Sequence, residues 1–147
     1  MTPEESLELN FKETLKLPDD AVMFLMDLWN AIQVFDDVAD GDEVKRADLN
    51  KAVWASLAGI QLNAFYAANM PMLMPVVSLQ IVKWLASDEF ERMGAADERS
   101  FVWRAGFYDV VCMVCILIHG PDHQVALTAL QLYGEDLEEY LKEFDNA

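Results

Sequence analysis

Apolar side chains along this chain recur every three or four residues and nowhere alternate for long, so the periodicity predicts helices and no convincing strand. The first pattern places Leu7, Phe11 and Leu15 behind Thr2-Pro3-Glu4-Glu5, a capping-box start, and predicts a helix over residues 3–16 broken by Leu17-Pro18. Asp19 or Asp20 caps a second helix, in which Val22, Leu25, Trp29, Ile32 and Phe35 keep helical spacing until Gly41. A third pattern runs from residue 43 to residue 69 through Val44, Ala47, Val53, Trp54, Leu57, Phe65 and Tyr66. It is antiparallel to the second across a short turn, with Gly59 as its weak point. Pro71 and Pro75 each remove a donor and crowd the preceding turn, so they are expected to stop it. Further helices are expected over 75–93, ending at Gly94, and over 97–118, ending at Gly120-Pro121. Residues 121–144 read as one kinked helix or two split at Gly134. The expected fold is all-α, a bundle of about six or seven helices.

Length and composition narrow this picture. A chain of 147 residues that is 54% hydrophobic can build one real core, and a single domain over residues 1–147 is expected. The net charge of −16 opposes direct binding to nucleic acid or to an anionic membrane, both of which would be repelled over the whole surface. It does not oppose phosphate groups bridged to carboxylates by Mg2+. The acidic N-terminus lacks the basic and apolar regions of a signal peptide. The apolar windows over 70–86 and 105–118 fall short of the roughly 20 residues a membrane span needs. Two cysteines suit a reducing compartment, so a cytoplasmic protein without a membrane span is expected.

Candidate chemistry is concentrated in residues 28–51. Asp36, Asp37 and Asp40 lie at i, i+1 and i+4 near the end of the second helix, with Gly41, Asp42, Lys45, Arg46 and Lys51 behind them. That spacing puts at least two carboxylates on one face, where a hard divalent cation can be held by oxygen ligands. The C-terminal end of a helix is its negative pole, which disfavours carboxylates unless a cation neutralises them. An EF-hand is excluded, because counting from Asp36 puts Val38 and Ala47 at positions that must supply ligands.

The stretch Ala31-Ile32-Gln33-Val34-Phe35-Asp36-Asp37-Val38-Ala39-Asp40 resembles the second aspartate-rich motif, FQxxDDxxD, of the trans-isoprenyl diphosphate synthases. Gly41-Asp42, Asp48-Leu49 and Lys51 continue the likeness in order, with shorter spacing and without the family's glycine before the lysine. The resemblance implies an isoprenoid-synthase-like helical fold. In it, Asp36, Asp37 and Asp40 would be Mg2+ ligands, Gln33 a neighbour of a substrate diphosphate and Lys51 a phosphate contact. Clustered Mg2+ would stabilise the charge that develops on a diphosphate leaving group. There is no second DDxxD for a facing helix. The expectation is therefore a shortened, diphosphate-binding relative, with a homodimer supplying a second motif across a two-fold axis or with catalysis lost.

Other constellations supply rivals. Glu135, Glu138 and Glu139 at i, i+3 and i+4 could face the aspartates, as carboxylates do in all-α nucleoside triphosphate pyrophosphatases, or simply form a solvated face. Cys112, Cys115, His119 and His123 have the order of a zinc set but lie in an apolar run, where cysteines are ordinary core residues. Arg104, Tyr108 and Asp109 interrupt an apolar helix; Arg104 could pair with Asp109 or bind phosphate beside the aspartates. Met70, Met72 and Met74, with Trp84 and Trp103, suggest an adaptable apolar surface. The alternative from another class is a non-enzymatic acidic helical protein that binds a basic macromolecular partner.

Overall fold

The computed structural model describes residues 1–144, and all regular structure among them is helical. Helix α1 (Pro3–Leu9) begins at the capping box: Glu5 N–H donates to Thr2 Oγ1 and Thr2 N–H donates to Glu5 Oε2, each at 3.1 Å. It widens into a π-helical turn, Asn10–Thr14, and stops before Lys16, whose φ of 52° is left-handed. Helix α2 (Asp19–Ala39) has Pro18, not an aspartate, at its N-cap. Asp19 and Asp20 occupy its first turn instead, where the positive helix pole favours them.

The end of α2 follows the sequence closely. Gly41 has φ 76°, its N–H donates to the Val38 carbonyl at 3.2 Å, and Asp42 N–H donates to the Asp37 carbonyl at 2.9 Å. This Schellman turn satisfies carbonyls that the helix would otherwise leave open. Residues 43–45 lead into helix α3 (Arg46–Trp54), a π-helical turn (Ala55–Gly59) and the single turn α4 (Ile60–Leu62). Gly59 is explained by proximity, since a Cβ there would lie 3.2 Å from both Asp27 Oδ2 and Trp54 Nε1.

The expected break at the prolines is not observed. It falls earlier, at Asn63, whose backbone is extended (φ −68°, ψ 128°). The Asn63 Oδ1 accepts the Tyr66 N–H and its carbonyl accepts the Ala67 N–H, both at 2.9 Å, so this asparagine caps a new helix. Helix α5 (Ala64–Arg92) then runs through Pro71 and Pro75 for 29 residues. Ala67, Pro71 and Pro75 are all exposed, so the carbonyls left unbonded by the prolines are on the water side. In the sequence the prolines divide this stretch into short apolar pieces. As a continuous helix, its most apolar 18-residue window has a mean hydropathy of 1.4, with 22% of that window buried. By length and composition alone, α5 is long and apolar enough to cross a membrane.

Helix α6 (Glu98–Trp103) starts at the expected Asp97, where Asp97 and Ser100 cap each other reciprocally. The helix expected to continue to Ile118 is interrupted at residues 104–106. Gly106 lies against α5 so closely that a Cβ would be 3.0 Å from Gln80 Cγ and 3.3 Å from Gln80 Cα. Helix α7 (Phe107–His119) ends at Gly120, φ 86°. The last region is two helices on either side of Gly134, α8 (His123–Leu130) and α9 (Leu137–Phe144).

Where a single domain is expected, contacts gather into two compact units, Met1–Met70 and Pro71–Ala147. The first is organised on α2, with Phe24 and Leu25 fully buried and Phe24 stacked on Tyr66 at 5.4 Å. The second has Leu73, Val110, Val111, Val114 and Tyr140 fully buried, and its core also holds the hydroxyls of Ser87 and Ser100. Those hydroxyls are satisfied: Ser87 Oγ donates to the Ser100 carbonyl and Ser100 Oγ shares a hydrogen bond with Tyr140 Oη, both at 2.7 Å.

Candidate functional site

The first unit carries an open polar cleft of about 280 Å³ built by the α2–α3 hairpin. Asn30, Gln33 and Asp37 project into it from successive turns of α2, as the spacing of three and four residues requires. Asp48 and Lys51 enter from α3, Glu43 and Lys45 from the connecting segment, and Glu4 from α1. The Schellman turn at Gly41 reverses the chain sharply enough to set α3 against α2. Glu4 ties the walls together: its Oε1 accepts the Asn30 amide at 3.2 Å and the Lys51 ammonium at 3.4 Å. Both ends of the Lys51–Glu4 pair are about half exposed, so the lysine is held loosely and can turn to another anion.

Three residues marked out by the sequence, Gln33, Asp37 and Lys51, therefore line one cleft. Asp36 and Asp40 do not line it: Asp36 is one residue round the helix from Asp37, and Asp40 is the C-cap, its N–H bonded to the Asp36 and Val38 carbonyls. Among the described residues, no group of three or more His, Cys, Asp or Glu side chains is placed to hold a metal ion. Asp27 does not line the cleft, but its carboxylate feels the charge of Lys51. Burial pushes its carboxyl above the usual range, against the pull of Lys51.

Comparison with protein-family models, curated proteins and solved structures gives no significant match. What the cleft can do must follow from its own side chains. It offers carboxylates to a cation, from Asp37, Glu43 and Asp48, and donors to an anion, from Lys45, Lys51, Gln33 and Asn30, within one small volume. Glu4 and Asn30 carry no site signal in the sequence comparable to that of the aspartates. Asn30 does sit one turn before Gln33, on the same face of α2, and Lys45 lies inside the aspartate-bearing stretch. Glu4, 26 residues from Asn30, had no signal beyond its place in the capping segment.

The other sequence candidates fall in the second unit. Arg104 is held by two carboxylates, Glu91 and Glu135, each at 3.6 Å, and its guanidinium lies 5.1 Å above the Tyr140 ring. It does not pair with Asp109, which takes Lys83 at 2.7 Å instead. Glu135 also accepts the Tyr133 hydroxyl at 2.7 Å, and Glu91 accepts that of Tyr140 at 2.7 Å. Burial, with Glu91 adding to it and Ser100 and Arg104 opposing, pushes the Tyr140 phenol up to about 12; burial and Glu135 raise Tyr133 further. These groups form a mutually satisfied polar core. Glu138 and Glu139 are exposed on α9.

The cysteines behave as core residues. Burial, then Cys112, pushes the Cys115 thiol up to about 11, and burial and Asp109 raise Cys112. Both shifts oppose the thiolate that zinc requires.

Proposed function

We propose that the α2–α3 cleft binds a small diphosphate-bearing molecule together with Mg2+. The observation that carries this reading is the meeting of Gln33, Asp37 and Lys51 in one cleft, because these are three of the five side chains, with Asp36 and Asp40, that the resemblance to trans-isoprenyl diphosphate synthases assigns to diphosphate and metal. The lack of a preassembled carboxylate cage is consistent with Mg2+, which keeps several waters and is commonly held by one or two carboxylates plus the phosphates themselves. Asp37 would take that role, with Asp48 contributing from α3 in the same cleft. Lys51, Lys45 and Gln33 supply donors to phosphate oxygens. Mg2+, when bound, would neutralise diphosphate charge in a chain whose net charge of −16 otherwise repels it. The reading is one of binding on an isoprenoid-synthase-like helical hairpin, with turnover no part of it.

The test is thermal unfolding with Mg2+, with pyrophosphate, and with both. Stabilisation should require both, reaching about 2.7 kcal/mol at a ligand concentration near 100 times Kd. It should disappear in Asp37→Asn, weaken in Lys51→Ala and survive in Asp40→Asn. Stabilisation that persists in Asp37→Asn, or that Mg2+ alone produces in full, would reject the site.

A second reading is favoured by a different surface. Along α5, Met70, Met72, Met74, Leu79, Ile81, Val82 and Leu85 are each about half exposed or more. This methionine-bearing apolar surface, spread round the helix on a strongly acidic protein, suits the apolar side of a basic amphipathic helix. Loss of binding to a basic amphipathic peptide in Leu79→Glu with Val82→Glu, with Asp37→Asn unaffected, would support this partner role over the cleft.

A further inference from the structure

The second unit contains an open pocket of about 190 Å³ that none of the preceding chemistry uses. One wall is aromatic. Tyr133 lies between Phe101, ring centroids 5.3 Å apart, and Tyr108, 5.5 Å apart, with the planes tilted by 44° and 53°. Val102, Ala105 and Leu130 complete an apolar lining. Val102 and Leu130 remain 59% and 50% exposed, so apolar surface leads from the rim into the pocket. The volume is below that of a typical drug site but above the roughly 150 Å³ of an engineered apolar cavity that takes up benzene. It fits one aromatic ring with a short tail.

The polar edge sets the tail's charge. Lys83 Nζ and Asp109 Oδ2 form an ion pair at 2.7 Å, and both side chains keep contact with water, 28% and 40% exposed. The lysine bonds Oδ2 of the carboxylate, which leaves Oδ1 available as an acceptor. Residues 71–147 carry 13 acidic and 5 basic side chains, and the acidic excess favours arrival of a cation over an anion. Tilted aromatic rings also attract a cation through their faces.

We propose that this pocket binds a small arylalkylammonium group, its ring against Phe101, Tyr108 and Tyr133 and its ammonium on Asp109 Oδ1. The ligand class is a primary aromatic amine with a one- or two-carbon linker, whether free or as the end of a larger molecule. Lys83 stays on Oδ2, so the carboxylate serves two ammonium groups without losing its original partner.

The experiment is titration of the full chain with phenethylamine, 2-phenylethanol, 3-phenylpropionate and ethylamine, followed by amide chemical-shift changes. Phenethylamine should shift amides of α6, α7 and α8 saturably and bind at least tenfold more tightly than 3-phenylpropionate or ethylamine. Asp109→Asn should bring phenethylamine down to the level of 2-phenylethanol and leave the alcohol unchanged. Val102→Trp, a change at an exposed position that fills the mouth, should abolish both without altering the rest of the spectrum. Equal binding of the acid and the amine would overturn the proposal. So would ethylamine matching phenethylamine, which would reveal only attraction to an acidic surface, or phenethylamine binding that survives Val102→Trp.

Discussion

The two units place their charged and hydroxyl groups in opposite ways. In the second, Glu91, Arg104, Glu135, Tyr133, Tyr140, Ser87 and Ser100 face one another, and most of their donors and acceptors are met from within. In the first, Glu4, Gln33, Asp37, Asp48 and Lys51 surround an open cleft and meet one another mainly through the long Lys51–Glu4 contact. A buried group whose donors and acceptors are all met from within contributes to stability and resists recruitment. One that faces a cleft contributes little to stability and can take a ligand. The same residue types thus report structure in the buried set around Tyr140 and binding capacity in the cleft.

The largest effect expected from this contrast is at Tyr140, whose side chain is fully buried. Tyr140→Ala should cost about 3–5 kcal/mol by loss of ring packing. Tyr140→Phe keeps the ring but leaves Ser100 and Glu91 short of a partner, for about 1–3 kcal/mol. Urea unfolding measures both. Gln33→Ala and Asp48→Ala, made in the cleft, should each change stability by less than about 0.5 kcal/mol. If Tyr140→Phe proved neutral, or the cleft variants were as damaging as Tyr140→Ala, the division between a satisfied core and an open site would fail.

Backbone geometry gives effects of intermediate size. At Gly106, a methyl group would press on Gln80 Cα as well as Cγ, so α5 itself would have to move. Gly106→Ala should cost about 1–3 kcal/mol by overpacking. At Gly41, nothing lies within 4 Å of an added Cβ, and only the φ of 76° resists it. Gly41→Ala should therefore cost about 1–2 kcal/mol, the ordinary penalty of a left-handed residue. Because Gly41 sets the turn from α2 to α3, its replacement should also weaken Mg2+-pyrophosphate stabilisation, whereas Gly106→Ala should leave that response intact.

Much of this was legible in the residues. Thr2 and Glu5, Asp97, Gly41, Gly94 and Gly120 marked helix ends correctly because caps act locally, through side chains and φ values one turn away. The prolines of α5 misled because their effect depends on what surrounds them: on an exposed helix face, the freed carbonyls have water. Gly106 and Asn63 were passed over for a related reason. A close approach to Gln80 is a tertiary fact, and Asn63 lay inside an apolar pattern that reads as continuous. In the site, Gln33 and Asp37 were readable as neighbours from helical spacing. Lys51 entered through the likeness of its stretch to a family motif. Glu4 was not readable, since its place in the cleft depends on α1 packing beside α2. Nor was the fate of Arg104, because its carboxylate partners come from residues 13 and 31 positions away along the chain.

The smallest expected effect tests the cleft most finely. Asp27 has its carboxyl raised by burial, with Lys51 pulling the other way. A carboxyl raised on folding contributes stability that is present below its unfolded pKa and is lost as pH rises through the folded value. Above that folded value the ionised Asp27 is therefore a net burden on the fold, and Asp27→Asn should raise the melting temperature slightly there. The gain should fade as pH falls through the raised folded value and be gone below about 4, where the side chain is protonated in both folded and unfolded chains. The substitution also removes one of the charges competing for the Lys51 ammonium. A single exposed or half-exposed pair is worth about 0.2–1 kcal/mol, so Mg2+-pyrophosphate should bind up to about fivefold more tightly to Asp27→Asn, with the gain shrinking in high salt. Calorimetric titration at two ionic strengths resolves a change of that size. Tighter binding with the salt dependence would tie Lys51 to the bound anion, whereas a stability gain with no change in affinity would confine Lys51 to its contact with Glu4.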